Sequence, residues 1–219
     1  VVELADGDLQ VYENLAGMTP TVANDVITGI GVNNSAVLSD GAIIGGNSTD
    51  RALISFLADA GAADKINKDE VKAFNAFDSN KKSSSVVLQQ AGQILTYVKG
   101  APEKIIERCS HYLNAQGERK ELTERRAINA YMDKQAGRSM RLLAVAKADG
   151  EKDDENLTLV CVLSIRDNVR KEAIEAIHQV QNAGVQVVMV TGDRKETAVA
   201  IAKEAGLLQA STDVALTSA

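Results

Sequence analysis

The segment Thr191-Gly192-Asp193 has the residue types of a phosphate-binding turn. It follows an apolar run, 185–190, and precedes a predicted helix, and helix N-termini after buried strands commonly bind anions. Gly192 permits close backbone approach, and Asp193 could cap the helix or lie beside phosphate-bound Mg²⁺. The alternative interpretation is an ordinary strand-to-helix turn with a capping Asp.

Two basic positions elsewhere in the chain could also meet phosphate. Lys99 ends a predicted strand and is followed by Gly100, so its ammonium could project over a cleft as a point charge. Arg141 precedes another predicted strand. The alternative for both residues is ordinary exposure to solvent, as is usual for Lys and Arg.

Phe77 is a candidate for stacking a purine base. Aromatic residues make up 3% of the chain and there is no Trp, so an aromatic residue beside a basic loop is unusual here. The loop that follows contains Lys81 and Lys82, which could face phosphate. Stacking on an aromatic ring contributes about 1–3 kcal/mol per base. The alternative is a core Phe at the start of a strand, although we expect Phe74 to be the core residue of the two.

Composition excludes several classes of function. The net charge of -6 disfavours nucleic acid as a partner, because its phosphates require a basic surface. Cys109 and Cys161 lie far apart and form no metal-binding or disulfide pattern, which fits a reducing compartment. The longest apolar run, 157–165, is too short to span a bilayer. The chain begins at Val1, and we expect it to be cut from a longer polypeptide.

The predicted elements change character near Asp167. Before it, helices and strands alternate irregularly, which predicts an α+β domain with an antiparallel sheet flanked by helices, residues 1–166. After it, helix 169–183, a buried strand over 185–190 and helix 196–205 predict part of an α/β layer, residues 167–219. In the first part we predict a helix opened by Ser48 or Thr49 and ended by Gly61.

The remaining predicted elements of the first part are two strands joined by a turn at Ala91-Gly92, a helix starting at Pro102, a helix running from Thr123 toward Gly137, and strands over 142–146 and 157–165. The segments that carry chemistry therefore lie at strand ends and in loops.

The order of these motifs resembles the nucleotide-binding domain of P-type cation-transporting ATPases running into their phosphorylation domain. The resemblance extends from about Gly46 to the end of the chain, and the helix after Thr191-Gly192-Asp193 is most similar to calcium-pump-like members. Its motifs, in order, are Asn47-Ser48-Thr49-Asp50-Arg51-Ala52-Leu53, Phe77 with Lys81-Lys82, Lys99-Gly100-Ala101-Pro102-Glu103, Arg141-Leu142-Leu143-Ala144-Val145-Ala146, Asp167-Asn168-Val169-Arg170 and Thr191-Gly192-Asp193.

The resemblance implies a role for each of these positions. Phe77 would stack the adenine of ATP, and Lys99 and Gly100 would line the pocket with Lys82 nearby. Asp50 stands where the family usually has Glu at the pocket edge, and Arg141 would reach the phosphates. Asp167 would begin the hinge between domains. The segment Thr191, Gly192 and Asp193 would approach the transferred phosphate.

The family transfers the γ-phosphoryl group of Mg-ATP to an Asp and couples aspartyl-phosphate turnover to cation transport, which divides one hard hydrolysis into two steps. The Asp-Lys-Thr-Gly-Thr motif of that Asp is absent from these residues. The resemblance therefore implies a soluble cytoplasmic headpiece fragment of a membrane pump that binds ATP without hydrolysing it. Its partners would be the transmembrane, actuator and remaining phosphorylation domains of the same polypeptide, and the protein ligands of Mg²⁺ would lie outside it.

Besides Asp50, further positions depart from the family pattern, and two alternative functions stay open. Asn168 and Val169 follow Asp167 where the family's hinge usually has Pro, so the hinge could be less stiff. Ser79 and Ser84 stand where calcium pumps often have Arg and Met, so nucleotide affinity could be reduced. The alternatives are a soluble phosphatase of the haloacid-dehalogenase type, for which no Asp nucleophile is placed after a strand, and a non-catalytic nucleotide-binding module.

Overall fold

The structure is a computed structural model of the whole 219-residue chain. The structure describes residues 2–5, 8–90, 92–123, 125–138, 140–166, 169, 171–192, 195–209 and 213–217. Asp167 and Asp193 lie outside the described residues, so their predicted roles stay predictions. Among the described residues, no helix is both long enough and apolar enough to cross a lipid bilayer.

The described elements confirm a mixed α and β composition. The helices are α1 Pro20–Ile27, α2 Ser48–Asp59, α3 Pro102–Arg108, α4 Arg126–Ala136, α5 Lys171–Asn182 and α6 Lys195–Glu204. The strands are β1 Val2–Ala5, β2 Asp8–Val11, β3 Ala36–Ser39, β4 Ala42–Gly45, β5 Val71–Asp78, β6 Ser83–Gln90, β7 Gln93–Gly100, β8 Cys109–Leu113, β9 Arg119–Glu121, β10 Met140–Asp149 and β11 Leu157–Arg166.

Of the strands in the described residues, nine form one sheet, and the other two, β3 and β4, form a separate hairpin. The main path runs β2-β1-β11-β10-β7-β6-β5, with β8 paired to β11 and to β9. The predicted antiparallel sheet is corrected in one respect, because β8 and β11 run parallel. The sheet is therefore mixed, and the long connection that a parallel pair requires is the chain between β8 and β11, which contains β9, α4 and β10.

The helix boundaries follow local sequence signals. Asn47 caps α2 by accepting a hydrogen bond from the Asp50 backbone N–H at 2.9 Å, so the predicted cap at Ser48 or Thr49 is wrong by one or two residues. Pro102 begins α3 as predicted, at a position where a missing N–H costs nothing. A single turn of π-helix, Thr28–Val32, continues α1 and contains Gly29 and Gly31.

The chain divides into two compact units, residues 1–128 with 142–164, and residues 129–141 with 165–219. In the second unit, α5 and α6 form as predicted, and the ring of His178 lies close to Gly206 at the end of α6. The predicted strand over 185–190 is wrong, because this segment has no regular secondary structure and Val190 is 91% exposed. The predicted α/β layer and the boundary at Asp167 stay predictions.

Candidate nucleotide-binding site

Lys99 lies near the end of β7, a strand that has β6 on one side and β10 on the other. It is opposite Ser84 on β6 and is only 6% exposed. The alternative of an ordinary solvent-exposed lysine is therefore wrong for Lys99, and its predicted role beside a cleft stays a prediction. A buried ammonium requires a compensating partner, because an unpaired buried charge is costly.

The partner of Lys99 is Asp50, in the first turn of α2. The Lys99 Nζ donates to Asp50 Oδ1 at 2.8 Å, and Asp50 is itself buried. Burial lowers the pKa of Lys99 more than the hydrogen bond and charge of Asp50 raise it. The two residues that the resemblance placed in one pocket are thus in direct contact, and the pair as a whole is electrically neutral.

Gly100 is required by the backbone of the next strand. A Cβ at this position would lie 2.2 Å from the carbonyl oxygen of Lys82, which accepts a hydrogen bond from the Ala101 N–H at 3.0 Å. Lys82 itself has a positive φ of 51° and an exposed side chain. Close contact between Gly100 and Lys82 therefore fixes the end of the β5–β6 turn next to Lys99.

Phe77 lies on β5, at the edge of the sheet, and is 61% exposed. The register shifts between Asn75, which pairs with Ser85, and Asp78, which pairs with Ser83. This bulge inserts one residue, and it moves Phe77 to the face of the sheet that carries Ser84 and Lys99. Without the bulge, strict alternation would place the ring on the opposite face.

Phe74 is also exposed, at 42%, so the expectation that it is a core residue is wrong. It pairs with Val86 and shares a sheet face with that residue. The β5 strand thus presents two exposed aromatic rings on the face that contains the Lys99–Asp50 pair. An exposed ring on the same sheet face as buried donors and acceptors is an arrangement that can bind a planar heterocycle.

Asn33 and Asn34 support this face and were not identified from the sequence. The Asn33 Nδ2 donates to the backbone oxygens of Ser84 and Tyr97, at 3.1 and 3.3 Å. The Asn34 Nδ2 donates to the Asp50 backbone oxygen at 3.1 Å and to that of Ile30 at 2.8 Å. The sequence signal that could have identified them is the pair of adjacent Asn residues after Gly29 and Gly31. Asn is usually exposed, and where it is buried its amide requires hydrogen-bond partners.

A second buried polar cluster lies two residues before Lys99 on β7. The Tyr97 hydroxyl donates to Asp25 Oδ1 at 2.5 Å, and the Lys147 Nζ donates to Asp25 Oδ2 at 2.8 Å. Burial, with the nearby charge of Asp25, raises the pKa of Tyr97 above its ordinary range. This cluster holds α1 against β7 and β10, and so stabilises the strand that carries Lys99.

The remaining predicted site residues belong to the second compact unit. Arg141 lies on β10 and is exposed, and Thr191 and Gly192 are exposed in the irregular segment before α6. A Cβ on Gly192 would meet no atom within 4 Å, so the structure gives no packing reason for this glycine. The phosphate-binding roles of these three residues stay predictions.

The sequence profile described as P-type ATPase, cytoplasmic domain N, matches residues 23–172, which is more than half of the chain. The chain therefore belongs to the P-type ATPase family, as the order of its motifs predicted.

Three curated relatives show how much of the chain is shared. The rice (Oryza sativa subsp. japonica) protein named Calcium-transporting ATPase 7, plasma membrane-type, is 37% identical over 188 residues, 78% of this chain and 18% of the relative. Plasma membrane calcium-transporting ATPase 1 of Mus musculus is 33% identical over 223 residues, 89% of this chain and 18% of the relative. Plasma membrane calcium-transporting ATPase 3 of Homo sapiens is 30% identical over an alignment of 243 residues including gaps, which covers 97% of this chain and 20% of the relative. The chain spans about a fifth of the length of the relatives it matches.

Proposed function

We propose that the chain binds ATP as the nucleotide-binding part of a pump that moves Ca²⁺ across a membrane through an aspartyl-phosphate intermediate. The relatives are named as calcium-transporting ATPases of the plasma membrane, which supports Ca²⁺ as the transported ion. In this proposal the chain is the cytoplasmic headpiece of an integral membrane protein, and its partners are the transmembrane, actuator and remaining phosphorylation domains.

The observation that carries the proposal is that Phe77 and Lys99 share one face of the sheet, where Lys99 is bonded to Asp50 of α2. Phe77 offers an exposed ring at the sheet edge, and the Lys99–Asp50 pair offers a donor and an acceptor with fixed positions. A purine has a π face for the ring and an edge with both acceptors and an amino donor. Buried, preoriented polar groups bind such an edge with little loss of conformational entropy.

We propose that Mg²⁺ enters with the phosphates of ATP. Among the described residues, no group of three or more His, Cys, Asp or Glu side chains lies close enough together to hold a metal ion. A divalent ion on the phosphates would supply charge neutralisation there. The chain's own residues would bind the base and orient the triphosphate, with Lys82 at the adjacent turn.

The test is the affinity of the purified 219-residue chain for ATP, measured by isothermal titration calorimetry with amide chemical shifts recorded in parallel. Phe77→Ala removes the ring, and the loss of stacking is expected to weaken binding by about 1–3 kcal/mol, roughly 5- to 150-fold. The matched control is Phe77→Tyr, which keeps a ring at the same place and should bind ATP within about twofold of the wild type.

We expect no phosphate release from ATP, because the residues contain no Asp-Lys-Thr-Gly sequence. Binding that is absent in the wild type, or shift changes confined to residues remote from Phe77 and Lys99, would contradict the proposal. Equal affinities for wild type and Phe77→Ala would remove Phe77 from the site and leave the rest of the proposal to be revised.

A further inference from the structure

Lys68 lies in the loop between α2 and β5, beside the Lys99–Asp50 pair. Its Nζ donates to the Asn34 backbone oxygen at 3.2 Å, and the Asn34 amide donates in turn to the Asp50 backbone oxygen at 3.1 Å. The Lys68 ammonium is close enough to both residues for electrostatic interaction: the charge of Asp50 raises the pKa of Lys68, and the charge of Lys68 lowers the pKa of Lys99. Two lysines therefore share the neighbourhood of a single carboxylate.

That carboxylate is already used by the other lysine. Asp50 Oδ1 accepts from Lys99 at 2.8 Å, whereas no carboxylate of the described residues lies within ion-pair distance of the Lys68 Nζ. Partial burial lowers the pKa of Lys68, and Asp50 offsets this only in part. The Lys68 ammonium has a neutral backbone carbonyl as its hydrogen-bond partner, so an anionic oxygen that approaches it would accept a stronger, charge-assisted hydrogen bond.

The charge of the cluster points the same way. Lys99 and Asp50 cancel, so the addition of Lys68 gives these three residues a net charge of +1. The Lys68 side chain is exposed, and its flexible stem allows the ammonium to exchange the Asn34 carbonyl for another acceptor. An incoming anionic oxygen would meet a charged donor that requires no deep rearrangement.

We propose that Lys68 is a further binding residue of the nucleotide site, whose ammonium binds an anionic oxygen of the ligand beside the Lys99–Asp50 pair. The inference rests on the proposed function, since it takes an adenine nucleotide as the ligand. It adds a residue that belongs to none of the motifs that carry the family resemblance.

The experiment compares Lys68→Gln with Lys65→Gln in the 219-residue chain. Lys65 is also exposed and lies three residues earlier, at the end of a short 3-10 turn, so its loss changes the net charge equally. Each variant is titrated calorimetrically with ATP and with adenosine, and the resulting dissociation constants are compared with those of the wild type. For Lys68→Gln we expect ATP to bind about tenfold more weakly, equivalent to about 1.4 kcal/mol, while adenosine is unchanged within about twofold. Lys65→Gln should bind both like the wild type.

Lys68→Arg keeps the charge and should recover most of the ATP affinity, which a purely structural role of the ammonium in the loop would not predict. Equal ATP affinities for Lys68→Gln and Lys65→Gln would overturn the inference, as would an equal loss for ATP and adenosine. If Phe77→Ala weakens ATP binding while Lys68→Gln does not, this inference fails and the proposed function stands. If the wild type binds no ATP, the proposed function itself fails.

Discussion

Strand β6 and the segment 185–190 are both rich in valine, yet only β6 is a strand. Val86 and Leu88 of β6 are 0% and 1% exposed, and β6 has hydrogen-bonded neighbours on both sides, β5 and β7. In the segment 185–190, Val188 and Val190 are 69% and 91% exposed, and no residue of the segment pairs in a sheet. The apolar content alone does not separate the two.

The difference lies in the partners that each run has. An isolated extended segment leaves its N–H and C=O groups unpaired, and a strand becomes stable only when neighbours take up those groups and cover its side chains. Antiparallel neighbours close to β6 in sequence provide both, since β5, β6 and β7 are consecutive. An apolar run therefore predicts a strand only where the same sequence also supplies its neighbours.

The β6–β7 hairpin also buries charged groups, and the largest expected effect comes from breaking its ion pair. Lys99→Met leaves the buried Asp50 carboxylate without its partner, which should lower the free energy of unfolding by about 3–5 kcal/mol. Urea unfolding followed by circular dichroism measures this loss.

The control for that prediction is the double variant Lys99→Met with Asp50→Leu. Because burial lowers the pKa of Lys99 despite its partner, the pair is not expected to stabilise the fold beyond an apolar replacement, and the double variant should recover most of the loss. It should not recover ATP binding, since both polar groups are gone. A double variant as unstable as the single one would show that the pair itself stabilises the hairpin.

The next effect tests the comparison of the two valine-rich runs directly. Val86→Ala removes two buried methyl groups next to Leu88 and Tyr97, and should lower the free energy of unfolding by about 2 kcal/mol. Val188→Ala makes the same chemical change at an exposed position and should alter it by no more than about 0.5 kcal/mol. Urea unfolding of both variants under identical conditions gives the two values. A loss of similar size for Val188→Ala would mean that its side chain is covered in solution, and the contrast would fail.

Much of the fold could be predicted because its signals are local. Pro102 starts α3, and the positive-φ glycines Gly61 and Gly184 follow the ends of α2 and α5. The turn before Gln93 joins β6 to β7. In each case the residue that predicts the feature lies within a few positions of it. The membership of the family followed from the order of the motifs, and the structure places Asp50 and Lys99 in direct contact.

The remainder depended on pairing between distant residues. The face on which Phe77 lies is decided by a bulge against Ser83 and Ser85, which no periodicity within β5 reveals. The burial of Lys99 depends on β10, more than forty residues later in the chain, and its partner comes from α2. The buried amides of Asn33 and Asn34 belong to the part of the sequence that carried little of the family resemblance. Their hydrogen-bond partners, Ser84, Tyr97 and Asp50, come from distant segments, so the residue types alone do not identify these contacts.

The smallest expected effect concerns Tyr97, which supports the hairpin two residues before Lys99. Its pKa is raised in the folded protein, so the neutral hydroxyl stabilises the fold fully below the unfolded value of about 10, and this stability is lost as pH rises above it. Between pH 10 and 11 the contribution of Tyr97 should fall by about 1 kcal/mol. In Tyr97→Phe the decrease in unfolding free energy over that interval should be smaller by this amount than in the wild type. Urea unfolding of both proteins at both pH values measures the difference, and identical pH dependence in wild type and Tyr97→Phe would show that burial beside Asp25 does not hold the hydroxyl neutral.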